Sequence, residues 1–64
     1  MTALQREVVE LLFQYGPQSR YRLAQRLSRD VIGISRVIRR LERKGWVEGR
    51  TEGAHDARVF RVLA

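Results

Sequence analysis

Four arginines, Arg36, Arg39, Arg40 and Arg43, are interleaved with Ile34, Val37, Ile38 and Leu41. On a helix these arginines fall within one sector of about 100°, and the four apolar residues form a stripe on the other side. Like charges at helical neighbours repel, so a free helix gains nothing from such a row. Faces kept only for solvation usually mix Glu with Arg to gain (i, i+4) pairs. Here Glu42 is the sole acid of the segment, and it lies off the sector. A guanidinium presents a planar fork of donors that fits phosphates and the O6 and N7 edge of guanine. A phosphate-lined groove would neutralise the row and release counterions. The competing reading of the row is a solvated basic surface.

With the same helix laid in a major groove, its N-terminal end is the part that reaches base edges. Its outward positions are Val31, Ile32, Gly33, Ser35 and Arg36. Arg36 can pair with guanine, and Ser35 can meet a phosphate or a base. An exposed Ile32 can pack on thymine methyls; alternatively Val31 or Ile32 closes the core between two helices. Gly33 either allows close approach to the DNA backbone or is simply tolerated, at a cost of about 1 kcal/mol relative to Ala. A second basic element follows, where Arg50 and Arg58 flank a loop containing His55 and Asp56. Asp56 and Arg58 share a side of an extended strand, so Asp56 can orient the guanidinium for a narrow, electronegative minor groove. The alternative is an ordinary surface ion pair worth less than about 1 kcal/mol. His55 reads as a solvated loop residue, with a phosphate contact as the alternative.

The elements that must position these residues follow from punctuation and period. Gly16-Pro17 is a stop signal. The stretch before it, Thr2 to Tyr15, reads as a first helix capped by Thr2, with Leu4, Val8, Leu11, Leu12 and Tyr15 as its apolar stripe. Val9 and Phe13 lie off that stripe; either one fills a peripheral gap or they make a second contact face. Ser19 caps a second helix from Arg20 to about Ser28, with Leu23, Ala24 and Leu27 inward and Tyr21 at the edge. After the break Ser28-Arg29-Asp30, Asp30 caps a third helix from Val31 to Lys44, ended by Gly45. The period then changes. Trp46 to Arg50 and Arg58 to Leu63 read as strands around a loop from Thr51 to Ala57, with Trp46, Phe60 and Val62 anchoring the hairpin on the helices. The predicted fold is α+β, mostly α: a three-helix winged helix-turn-helix with a C-terminal two-stranded hairpin wing, occupying residues 1–64 as one domain.

Composition sets the bounds. The chain has 64 residues, with 13 basic against 7 acidic side chains and a formal net charge of +6. Twelve of the basic residues are arginine. There is no cysteine, hence no disulfide or thiolate metal site, and His55 alone cannot hold a metal. No apolar run approaches the roughly 18 residues of a membrane span, and no secretory leader is evident, so a cytoplasmic location associated with DNA is expected. No nucleophile–base pair, carboxylate pair or phosphate-cradling glycine motif is present, which argues against an enzyme and against a cofactor.

The segments Leu23-Ala24-Gln25-Arg26-Leu27, Ser35-Arg36, Leu41-Glu42-Arg43-Lys44-Gly45-Trp46-Val47 and Asp56-Ala57-Arg58 resemble the DNA-binding lobe of MarR-type winged-helix regulators over about residues 19–63. The resemblance implies that the third helix enters the major groove with Arg36 at a DNA-contacting position. It also implies that Arg58 is the wing arginine of the minor groove. Family members carry long terminal helices that form the dimer and a ligand pocket; these 64 residues contain neither, so no small-molecule effector is expected. The turn between the helices, usually Gly-apolar-Ser in the family, reads Ser28-Arg29-Asp30 here.

The expected function is sequence-specific binding of double-stranded DNA by a small transcriptional regulator or repressor, with helix 31–44 in the major groove and wing 50–58 at the minor groove. A phage or plasmid excisionase-like architectural protein and a winged-helix protein-interaction module are the alternatives. RNA binding is disfavoured because the few aromatics are expected to be used in packing. One helix-turn-helix reads few base pairs, so a homodimer on a palindrome is expected, with Val9 and Phe13 near the contact and the C-terminal strand as a candidate edge.

Overall fold

The computed structural model describes residues 1–52 and 57–63. Three helices, α1 (Ala3–Tyr15), α2 (Arg20–Leu27) and α3 (Val31–Arg43), precede two strands, β1 (Val47–Glu52) and β2 (Ala57–Val62). The strands pair antiparallel, with Val47 opposite Val62, Gly49 opposite Phe60 and Thr51 opposite Arg58. This is the winged helix-turn-helix expected from the sequence.

Each helix start has its own chemistry. Thr2 caps α1 through a full capping box: its Oγ1 accepts from the Gln5 amide, and the Gln5 side chain accepts from the Thr2 amide. Gln5 is thereby a buried polar residue with its hydrogen bonds made. Ser19 caps α2 by accepting from the Arg22 amide. At α3, Asp30 occupies the capping position but its side chain makes no capping hydrogen bond, contrary to expectation. The carboxylate still lies at the positive end of the helix dipole.

Two helix ends close in the same way. The Trp46 amide donates to the Leu41 carbonyl and the Gly45 amide to that of Glu42, around Gly45 at φ 77°. This pattern satisfies the last carbonyls of α3 and turns the chain into β1. At the end of α2 the Arg29 amide donates to Ala24 and the Ser28 amide to Gln25, around Ser28 at φ 53°. Ser28 is the only described non-glycine residue with a positive φ. The turn of the helix-turn-helix therefore needs a left-handed residue, and serine fills the place.

The core consists of Val8 and Leu12 from α1, Leu23 and Ala24 from α2, Ile34, Ile38 and Leu41 from α3, and Val47 and Phe60 from the wing. Several expectations need correction. Tyr15, assigned to the apolar stripe of α1, is about half exposed; its ring lies at the helix end, with the Arg26 guanidinium stacked 4.3 Å from its centroid. Tyr21 is exposed rather than at the core edge. Trp46 is 42% exposed and is not a hairpin anchor; Val47, at 2%, takes that part because the Gly45 turn sends the next strand residue inward. Val9 packs against the core, which removes it from the proposed second face, whereas Phe13 is 80% exposed. The strands also run closer to the loop than expected, through Glu52 and from Ala57.

One contact was not anticipated. Gln18, in the connection between α1 and α2, forms a two-bond antiparallel bridge with Phe60, at 3.1 and 2.8 Å. The outer edge of β2 is therefore covered at its centre, and the open edge expected for the C-terminal strand is interrupted there. On its other side β2 pairs with β1, so the chain around Phe60 is held on both sides.

Left-handed backbone costs a non-glycine residue roughly 1–2 kcal/mol, part of which glycine returns as unfolded-state entropy. Ser28→Gly is therefore expected to stabilise the fold by about 0.5–1 kcal/mol. Chemical denaturation with an unchanged m-value would show this as a higher midpoint, and a lower midpoint would contradict it.

Candidate nucleic-acid interface

The exposed side of α3 is built by default from its buried side. Ile34, Ile38 and Leu41 are buried, with Val31 and Val37 packed beside them, and this fixes the rotation of the helix. Arg36, Arg39, Arg40 and Arg43 are consequently all exposed. Among the described residues none of the four has an ion-pair partner. Ile32 is 63% exposed and, four residues before Arg36, stands on the same sector. The choice left open for the first turn is thus resolved: Val31 closes the core and Ile32 faces out. Gly33 is partly exposed, and a Cβ added there meets nothing within 4 Å. No packing inside the protein requires glycine at this position.

The acids are placed elsewhere. Glu48 on β1 takes Arg61 from the opposing strand position, with an Nε–Oε1 distance of 2.6 Å, and stands 3.8 Å from Arg50. Glu42, the single acid of α3, lies 3.8 Å from the Arg58 guanidinium. These exposed pairs each contribute under about 1 kcal/mol. Their larger effect is that two carboxylates offset part of the charge of the three wing arginines, Arg50, Arg58 and Arg61, while the α3 row keeps its full charge.

Arg50 and Arg58 flank the loop but occupy opposite faces of the hairpin. Side chains alternate along β1 and β2, so Arg58 shares a face with Phe60, Gly49 and Val47, and Arg50 shares the other with Glu48 and Arg61. Arg58 folds back along the helix-facing side, its guanidinium 5.7 Å from the Phe60 ring centroid. Gly49 makes room for this: a Cβ there would lie 2.8 Å from both the Phe60 ring and the Arg58 guanidinium. The described partners of Arg58 are therefore Glu42 and Phe60. The suggested partner Asp56, and His55 with it, lie outside the described residues.

Sequence reasoning passed over Arg20. Its Nη1 donates to the Ser35 Oγ at 3.2 Å across the helix-turn-helix, and its guanidinium lies 5.5 Å from the Phe60 centroid. The signal was weak, because an arginine just after a cap position reads as surface. Among the described residues no group of His, Cys, Asp or Glu is gathered to hold a metal, and no helix is long and apolar enough to cross a membrane.

Three buried-face helices, a left-handed turn and a wing laid against α3 define a winged helix-turn-helix whose outward helix is cationic. The MarR family model matches residues 1–60, and the chain belongs to that family. The fold superposes on the reduced form of MarR from E. coli with a TM-score of 0.93 at 25% identity, covering 98% of this chain and 47% of that one. The S. aureus MepR–DNA complex gives a TM-score of 0.88 at 20% identity, covering 100% and 48%. A Zα domain from Carassius auratus PKZ, solved with Z-DNA, gives 0.85 at 20%, covering 94% and 92%. The chain spans about half the length of the MarR and MepR structures it matches. No curated protein matches the sequence.

Two glycines on this surface should behave oppositely. Gly33→Ala adds a methyl in open space, so it is expected to stabilise the helix by about 0.5–1 kcal/mol. Gly49→Ala forces the Phe60 ring aside and is expected to cost about 1–3 kcal/mol. Thermal unfolding of both variants checks the signs.

Proposed function

We propose that this chain is a sequence-specific double-stranded DNA-binding unit of a transcriptional regulator, with α3 in the major groove and the wing along the adjacent minor groove. The observation that carries the reading is the exposed row Arg36, Arg39, Arg40 and Arg43, unpaired among the described residues, on the same sector as Ile32. Such a row gains from a polyanion what it cannot gain from water or from its own chain. Membership in the MarR family and the likeness to a fold solved on DNA support the same partner. The binding unit is residues 1–64, and repression by occupying a promoter is the simplest output.

Roles divide along α3. Arg36, nearest the helix start, reads guanine, while Arg39, Arg40 and Arg43 hold phosphates. Arg50 on the outer face of the wing contacts the backbone. Arg58 exchanges its 3.8 Å pairing with Glu42 for the minor groove when DNA arrives. A second copy bound across a two-fold axis would double the site, and the exposed Phe13 is the apolar residue of α1 available to such a contact. Gly33 and Ser35 lie where the helix would come closest to the bases. A protein-binding winged helix would instead present an apolar or mixed face on α3.

Selection of bound duplexes from a random pool, followed by titration in a salt series, tests the reading. An enriched motif is expected, with Arg36→Ala losing about 1–3 kcal/mol on it. Neutralising Arg39, Arg40 or Arg43 should lower the slope of log K against log salt by about 1 each and weaken all sequences alike. Recovery of a palindrome supports the dimer, and a single half-site argues against it. No enrichment together with salt-insensitive binding would overturn the proposal.

A further inference from the structure

The N-terminal part of α3, from Val31 to Arg39, borders an open concavity of about 280 Å³, lined by Val31, Ile32, Ser35, Arg36 and Arg39. Its chemistry is not uniformly cationic. On one side is the exposed Ile32 side chain. On another is the half-buried Ser35 hydroxyl, which accepts a hydrogen bond from the Arg20 guanidinium at 3.2 Å. A guanidinium has no acceptor site, so the hydroxyl oxygen accepts here with one of its two lone pairs; the nearby cation polarises the O–H, making it a better donor and a poorer second acceptor. The hydroxyl proton must then point elsewhere, and among the described residues no protein acceptor takes it. Arg20 is held in turn by Phe60, whose ring is buried and whose backbone is bridged to Gln18. The hydroxyl is thus biased toward donating outward by a chain of contacts that begins in the core of the wing.

We infer that this concavity is a thymine reader in which Ile32 contacts the C5 methyl and Ser35 donates to O4, with Arg20 acting as the positioning residue that keeps Ser35 a donor. The inference rests on the proposed binding of duplex DNA by α3. Thymine is the base that shows both a methyl group and an acceptor in the major groove. Cytosine presents an amino donor where thymine has O4, which would confront the Ser35 proton with another proton. Uracil keeps O4 and lacks the methyl. Without the Arg20 charge the hydroxyl accepts as readily as it donates, and discrimination between O4 and an amino group is weakened while the methyl contact stays.

Base analogues separate these contributions. In the selected duplex each thymine is replaced in turn by uracil, or by 5-methylcytosine opposite guanine, and affinity is measured for the wild type and for Ile32→Ala, Ser35→Ala and Arg20→Gln. For the wild type, one thymine is expected to lose about 3–5-fold with uracil, the worth of one buried methyl, and about tenfold or more with 5-methylcytosine. Ile32→Ala should abolish the uracil effect at that position and leave the 5-methylcytosine effect. Ser35→Ala and Arg20→Gln should do the reverse. Loss of the Arg20 charge also weakens every duplex, but a merely structural or phosphate-binding arginine would leave the ratio between thymine and 5-methylcytosine unchanged. Ser35→Ala, a mild change within a helix, keeps the test valid if Arg20→Gln is less stable. Firm binding to a selected site with no thymine sensitive to either analogue overturns this inference alone. Failure to select any duplex overturns the reading beneath it as well.

Discussion

The wing of this molecule stays against its helices because Phe60 is buried, and most of the site is arranged around that ring. A two-stranded hairpin has too little apolar surface to hold itself. Here it places one aromatic side chain in the helical core and ties the same residue's backbone to Gln18. Gly49 opposite leaves room for the ring, and two arginines from different parts of the chain lie within cation–π distance of it. One of these reaches Ser35 in α3, and the other reaches Glu42 near the end of the same helix. The ring thereby sets the position of the wing relative to the outward helix at two points along that helix.

Charge follows from this arrangement. The wing arginines have acids within reach: Glu48 serves the outer face and Glu42 the inner. The α3 row has none among the described residues. Arg22 and Arg29 also have no ion-pair partner among the described residues, but α3 gathers four such arginines on one face of a chain with a net charge of +6. That face is also the one left outside when Ile34, Ile38 and Leu41 are buried. Core burial and charge display are thus a single requirement on the period of one thirteen-residue helix.

The parts legible in the sequence were those carried by period and punctuation. The α3 stripe, the three helices, the Gly45 stop and the hairpin order follow from local rules, and the arginine sector follows from the stripe. The misread parts depended on direction at element ends. Tyr15 has the right spacing for the α1 stripe but sits at the helix terminus, where it meets the Arg26 guanidinium and stays half exposed. Trp46 and Val47 are adjacent, and the Gly45 dihedral decides which of them turns inward. The Gln18 bridge and the Arg20–Ser35 contact join residues 42 and 15 positions apart, a separation at which no sequence pattern speaks. For Arg58 the structure adds Glu42, through a packing that only the folded wing creates, while Asp56 lies outside the described residues.

Trp46, the only tryptophan, stands between the end of α3 and the start of β1, 42% exposed, with its carbonyl accepting from the Leu63 amide. The indole is therefore a built-in optical gauge at the joint between helix and wing. Its emission colour follows how much water reaches the ring, and the two tyrosines sit at helix termini rather than at this joint. A shift of the hairpin against the helix changes the indole's surroundings before it disturbs the buried cluster. Motion of the wing can thus be followed by fluorescence in the unlabelled chain.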